Sequence, residues 1–195
     1  MNGGRITSEE KSTFSKYFGL VVVSVLGAGG IYFFFLTQET KPLLGFDPNQ
    51  PVQSDALLKR RLKAEQYHVV RQNGTQMPFQ NEFWDNTRAG LYVDIITNEP
   101  LFTSLDKYDA GLGMPTFSKP ISYDLLVEVP DNSHNMERIE VRAKRSNAHL
   151  GHLFGDPKSP TGRSYVLNSA AFDFIPVERI KSEHYEAYLP LLEKK

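Results

Sequence analysis

The sequence predicts a mainly β domain (β+α) of antiparallel sheet with a few peripheral helices, set behind one apolar span near the N-terminus. Three observations lead there. Short β-branched and aromatic runs recur along the second half of the chain, separated by Gly, Pro and Asn turn signals. Ile139, Val141 and Ala143 alternate with Glu140, Arg142 and Lys144, the period of a half-buried strand. Residues 17–36 read YFGLVVVSVLGAGGIYFFFL, with no formally charged side chain.

Composition narrows the function. At 195 residues the chain has room for one ordinary domain plus an appendage. Twenty-two basic against 23 acidic residues give a net charge of −1. Lys59-Arg60-Arg61 is the only run of three consecutive basic residues, and no cationic surface for nucleic acid is expected. The chain has 0 cysteines. That excludes a disulfide, a thiolate nucleophile, a Cys-ligated zinc and an iron–sulfur cluster within it.

The expected organisation is a short tail over 1–16, a transmembrane helix over 17–36, a linker over 37–53 and a folded domain over 54–195. At 1.5 Å per residue, about 20 residues span a bilayer core of about 30 Å. Gly27-Ala28-Gly29 resembles a signal-peptide cleavage site, but the apolar run continues through Leu36, which favours an uncleaved anchor. Arg5, Lys11 and Lys16 precede the span, and positive-inside places the N-terminus in the cytoplasm and the domain on the outer side. Pro42, Pro48 and Pro51 mark the linker.

Within the domain, Ser54-Asp55 caps an amphipathic helix running to Glu65. Residues 67–71 read as a strand ending in the Asn73-Gly74 turn. Further strands are expected over 90–97, over 122–129 paired with 138–144, and over 164–168 and 171–175. The end of the chain, 176–192, is helix-prone, anchored by Tyr185, Tyr188 and Leu189.

One stretch stands apart in polar content. Residues 147–156, NAHLGHLFGD, hold two imidazoles three residues apart beside a carboxylate, with Asn168 and Ser169 following. Read by itself it is a metal site of His149, His152 and Asp156, a general acid/base site, or a hydrogen-bonded turn. His-x-x-His spacing brings the rings together on a helix or in a tight turn, and Gly151 and Gly155 favour the turn.

From about Leu62 to Leu189 the sequence resembles the methionine-R-sulfoxide reductase (MsrB) family. The resemblance rests on ordered blocks: GTQMPF from Gly74, GLYVD from Gly90, EPLF from Glu99, DKYDAGLGMPTFSKPI from Asp106, EVR from Glu140, HLGHLF from His149 and YVLNSAAFDFIP from Tyr165. It implies two antiparallel sheets with peripheral helices, and reduction of the R epimer of methionine sulfoxide in peptides by a thiolate or selenolate. The family's nucleophile position is Val166 here. The tryptophan of the substrate pocket is replaced by Met114, the arginine two places before the nucleophile is Ser164 with Arg163 displaced by one, and a resolving cysteine in the Gly-x-Gly segment would fall on Leu112. The paired Cys-x-x-Cys motifs of zinc-containing members are missing.

His149, His152, Phe154, Asp156 and Asn168 fall on family positions that line or support the site, where the histidines orient and protonate the sulfoxide oxygen. With Val166 at that position, 0 cysteines and an apolar span before the domain, the expectation is an inactive, membrane-tethered member that binds or assembles without turnover, with no cofactor and no metal. Expected partners are the membrane, protein subunits of a larger complex, and peptides containing methionine sulfoxide. The alternative is a working peptide-methionine (R)-S-oxide reductase.

Overall fold

A computed structural model describes residues 18–27, 30–39, 45–133 and 136–193; side chains are described from residue 45 onward. The chain divides into two units, 1–44 and 45–195, each taken by itself.

In the first unit, β1 (Phe18–Gly27) and β2 (Gly30–Glu39) form an antiparallel hairpin, paired from Phe18↔Glu39 to Gly27↔Gly30. The described residues of 17–36, expected as a transmembrane helix, are extended here. Among the described residues, no helix is long and apolar enough to cross a membrane. The physical reason lies in the residues: FGLVVVSVLG and GIYFFFLTQE are β-branched and aromatic, and glycines flank their junction.

The second unit opens with two short helices, α1 (Asp55–Arg61) and α2 (Ala64–Gln72). The expected single helix breaks at Leu62, whose ψ of 149° is extended. The expected strand over 67–71 is helical. Val69 and Val70 are buried on α2, and Asn73, at φ 55°, is its left-handed C-cap rather than a hairpin turn. Tertiary burial overrides the β preference of the two valines.

Among the described residues nine strands follow: β3 (Gly90–Asp94), β4 (Pro100–Thr103), β5 (Lys107–Tyr108), β6 (Thr116–Phe117), β7 (Leu126–Asp131), β8 (Arg138–Ala143), β9 (His149–Gly155), β10 (Arg163–Leu167) and β11 (Phe172–Pro176). They form two antiparallel sheets, ordered β5-β6-β10-β9-β8-β7 and β11-β3-β4. Fold class and sheet number match the expectation. The strand pair 122–129 and 138–144 is found as β7 and β8, and the C-terminal segment winds into 3-10 turns over Val177–Arg179 and Glu186–Leu192.

An aromatic core joins the sheets. Tyr92 and Phe102 of the smaller sheet meet Phe117 and Tyr165 of the larger, with Tyr92–Phe117 centroids 4.9 Å apart and Phe102–Tyr165 centroids 5.9 Å apart. The smaller sheet is buried on its other face too, where Leu91, Val93 and Ile175 pack with Ile180 and Tyr185. That explains why β3 is buried at every position rather than alternating. The larger sheet places Leu153, Tyr165, Phe117 and Val141 in the core, and its other face carries the polar groups described below.

Two turns of identical pattern tie the sheets at one end. Asn98 (φ 61°) closes the β3–β4 connection by donating to Asp94 O (2.8 Å), and Asn147 (φ 55°) closes β8–β9 by donating to Ala143 O (2.9 Å). The Asp94 carboxylate, fully buried, accepts from the Ile96 amide (2.8 Å), from the Thr97 hydroxyl (3.1 Å) and from the Ser146 hydroxyl of the opposite turn. Burial pushes its pKa up, against those hydrogen bonds.

Candidate functional site

The two histidines lie on a strand, not in the turn expected for 147–156. In a regular strand, residues three apart face opposite ways. Here the β8–β9 register moves from Arg142↔His149 to Val141↔Gly151, so β9 carries one extra residue against β8. This β-bulge returns His149 and His152 to one face of the sheet. Their rings meet edge-on, with centroids 5.5 Å apart at 67°. Gly151 permits the geometry: a Cβ there would lie 2.3 Å from the Val166 carbonyl oxygen of β10.

The same ladder places the other positions. Val166 of β10 pairs with His152 on one side and Thr116 on the other. Its isopropyl group therefore sits in a polar row of Thr116, Val166, His152 and Glu140. Ser164 pairs with Phe154, which is 43% exposed with its ring 6.5 Å from that of His152. Ser164 is buried, its Oγ 2.9 Å from the Tyr108 hydroxyl. Arg163 shares the opposite face with Tyr165, ion-paired to Glu128 and stacked on the Tyr123 and Tyr165 rings.

Each histidine is held by a carboxylate that an arginine also holds. His149 is 1% exposed, and its Nδ1 lies 2.6 Å from Glu140 Oε1, which accepts from Arg142 at 2.5 Å. His152 Nε2 lies 2.8 Å from Asp131 Oδ2, which accepts from Arg138 at 2.7 Å. Burial lowers the His149 pKa, with Glu140 opposing. Asp131 is held below the usual carboxylate range by hydrogen bonds from Ser133, then by His152. Glu140, Arg142, Asp131 and Arg138 are not among the site residues expected from sequence. The Glu140/Arg142 alternation is visible there, but it reads equally as a solvated strand face.

The remaining expected residues are placed differently. Asp156 accepts from the Tyr108 hydroxyl (2.8 Å) and the Lys158 amide (2.9 Å), which together lower its pKa, the amide most. It reaches Ser164 through Tyr108, not the histidines. Asn168, 2% exposed, accepts from the Gln76 amide (2.9 Å) and donates to Leu150 O (3.1 Å), so it staples a loop to β9. Met114 Sδ takes the Asn81 amide at 3.4 Å, and Leu112 is 48% exposed. Among the described residues, no group of three His, Asp or Glu is placed to hold a metal ion.

Fold and site thus define a two-sheet β domain with paired histidines on one face of its larger sheet. Residues 62–176 match the SelR domain model. The chain is also 45% identical over 138 residues to the peptide methionine sulfoxide reductase MsrA/MsrB of Vibrio cholerae serotype O1, a match covering 71% of this chain and 36% of that protein. The chain belongs to the SelR family, the methionine-R-sulfoxide reductases.

Proposed function

We propose that this chain is a catalytically silent methionine-R-sulfoxide reductase domain that binds without turning over and serves as a subunit of a membrane or envelope complex. One observation carries the reading. The position that the family resemblance assigns to the nucleophile holds Val166, beside His152, and the chain has 0 cysteines to take its place. An isopropyl group has no lone pair with which to attack a sulfoxide sulfur. Met114 and Ser164, in place of the pocket tryptophan and arginine, point the same way.

The test is turnover of methionine-R-sulfoxide by the full chain in mild detergent with excess dithiol. No rate above a protein-free control is expected, and sustained turnover rejects the reading. Val166→Cys gives the complementary arm, since activity gained there locates the deficit at one side chain. The second reading is a working peptide-methionine (R)-S-oxide reductase, favoured by the relationship to the Vibrio cholerae protein. It requires a non-thiol reductant of the substrate, for which a thioether such as Met114 is a weak candidate.

Membrane attachment belongs to the same proposal, with residues 17–36 as the anchor, the N-terminus cytoplasmic and the domain on the outer side. A two-stranded hairpin leaves one edge of each strand unpaired, and open edges are not tolerated in hydrocarbon. Insertion therefore requires helix formation in lipid. Resistance to alkaline carbonate extraction, with a helical infrared band for 17–36 in vesicles, is the expected result; full release by carbonate removes the anchor. A stoichiometric protein recovered with the chain from its native membrane identifies the complex.

A further inference from the structure

A cavity of about 210 Å³ lies apart from the histidine face, between the start of α2, the loop before Phe83 and the 3-10 turn Ser169–Ala171. None of the site residues expected from sequence lines it. Its floor is a network of buried polar side chains: Gln76, Asn81 and Ser169 are 8%, 8% and 2% exposed. The Phe83 amide donates to Ser169 Oγ (2.9 Å), and that hydroxyl donates to Asn81 Oδ1 (2.6 Å). Asn81 Nδ2 donates to the carbonyl oxygens of Gly113 (2.8 Å) and Met77 (3.1 Å).

Gln76 Oε1 accepts from the Ala170 amide at 2.8 Å. A main-chain amide only donates, so this bond fixes which end of the Gln76 side chain is oxygen and which is nitrogen. The network closes on itself everywhere but at Gln76 Nε2, which meets no acceptor among the described residues. That nitrogen is not sealed in the interior either. Gln76 is more than nine-tenths buried and lines the cavity, so its free donors open into it.

The rim selects the ligand. Glu65, Glu82 and Asp173 stand there against one ammonium group, Lys63, which disfavours a phosphate or a carboxylate. The Gln76 donors require an acceptor, which an ammonium or guanidinium group lacks. A hydroxyl group both donates and accepts at one atom, and neighbouring hydroxyls on one small ring can meet a donor on the floor and acceptors on the rim together. Phe172 and Ala170 add apolar wall, which suits the C–H face of such a ring. The volume is below the roughly 300 Å³ at which drug-sized sites begin, so the cavity holds about one ring. We infer that this cavity binds a neutral polyhydroxylated molecule, a free monosaccharide or one sugar unit of a glycan. Gln76 Nε2 donates to one hydroxyl, and Glu65 and Glu82 accept from its neighbours. The inference is independent of whether Val166 leaves the domain silent.

The experiment is a magnetic-resonance titration of the isotope-labelled full chain, in a detergent without a sugar headgroup, following the Gln76 side-chain amide signals. The sugar probes are glucose, galactose, N-acetylglucosamine and the trimer of N-acetylglucosamine. N-acetyl-arginine methylamide, N-acetyl-glycine methylamide and inorganic phosphate represent the cationic, main-chain and anionic classes. A saturable shift is expected with one sugar at a Kd of about 1–10 mM. That sugar should bind about fivefold tighter than its poorest relative, the worth of one hydrogen bond.

Gln76→Glu keeps an oxygen for the Ala170 amide, removes the donor and is expected to abolish saturable binding. Glu82→Ala changes an exposed side chain, and should weaken binding about fivefold while the melting temperature stays within about 2 °C. E82A carries the test if Q76E does not fold. Tighter binding of the trimer than of its monomer supports the inference with a glycan as the source, and weaker binding supports it with a free sugar. Preference for the arginine, glycine or phosphate probe over every sugar overturns it. Sugar binding that E82A leaves unchanged, or no saturable shift up to about 100 mM, overturns it as well.

Discussion

Gly151→Ala tests the geometry that assembles the site. A Cβ at 151 would lie 2.3 Å from Val166 O and 2.8 Å from Leu167 Cα, both main-chain atoms that no rotamer change relieves. Restoring an ordinary contact requires β9 and β10 to part by most of an ångström where Leu167↔Gly151 and Val166↔His152 pair. Weakening two ladder bonds costs about 1 kcal/mol each. Overpacking against backbone adds about 1–3 kcal/mol. The sum, about 3–5 kcal/mol, corresponds to a melting temperature lower by roughly 6–20 °C for a domain of this size.

The assay is guanidinium unfolding of the full chain in mild detergent, followed by Trp84 fluorescence and far-ultraviolet dichroism. Gly155→Ala is the internal control. It lies on the same strand, but nothing stands within 4 Å of where its added methyl group would sit. Its expected effect is within about 0.5 kcal/mol. If G151A loses less than about 1 kcal/mol, or G155A matches it, the bulge does not depend on that close approach and the account of the site is wrong.

Three other perturbations have defined outcomes. Because His149 is buried with a lowered pKa, the unfolded chain takes up its proton first as pH falls below about 6.5. The stability that neutral His149 contributes is therefore complete above that pH and lost below it, and His149→Gln should show a shallower decline of the denaturant midpoint between pH 7 and 5. Asp94→Ala strands the Ile96 amide and the Thr97 and Ser146 hydroxyls, and should cost about 2–4 kcal/mol by the same unfolding assay. Tyr185→Phe removes the 2.9 Å donation to Asn98 O from a side chain 2% exposed, and should cost about 1 kcal/mol with no change in β9 amide exchange.

Much of the sheet is legible because its strands carry β-branched and aromatic side chains in period two. β7, β8, β10 and β11 fall within a few residues of their expected places. What escapes the sequence is decided by tertiary context. Tyr67-His68-Val69-Val70 has strand-like composition but winds into α2, since that turn buries both valines. β9 hides behind its glycines: HLGHLFG has poor strand propensity, and its bulge exists only in partnership with β8. The histidines are visible as residues, but the carboxylates that orient them are not, because Glu140 and Asp131 reach them across strands whose register the sequence does not state. Asn168 is legible as a polar position beside the site, while its task of fastening Gln76 to β9 depends on contacts distant in sequence.

Val166 reaches its location through amide-to-carbonyl pairing on both flanks, with Thr116 on one side and His152 on the other. Its side chain takes no part in that arrangement. Architecture and reactivity are therefore written in separate layers of this molecule. A codon change at 166 would deliver a different atom to the same address without asking the scaffold to move.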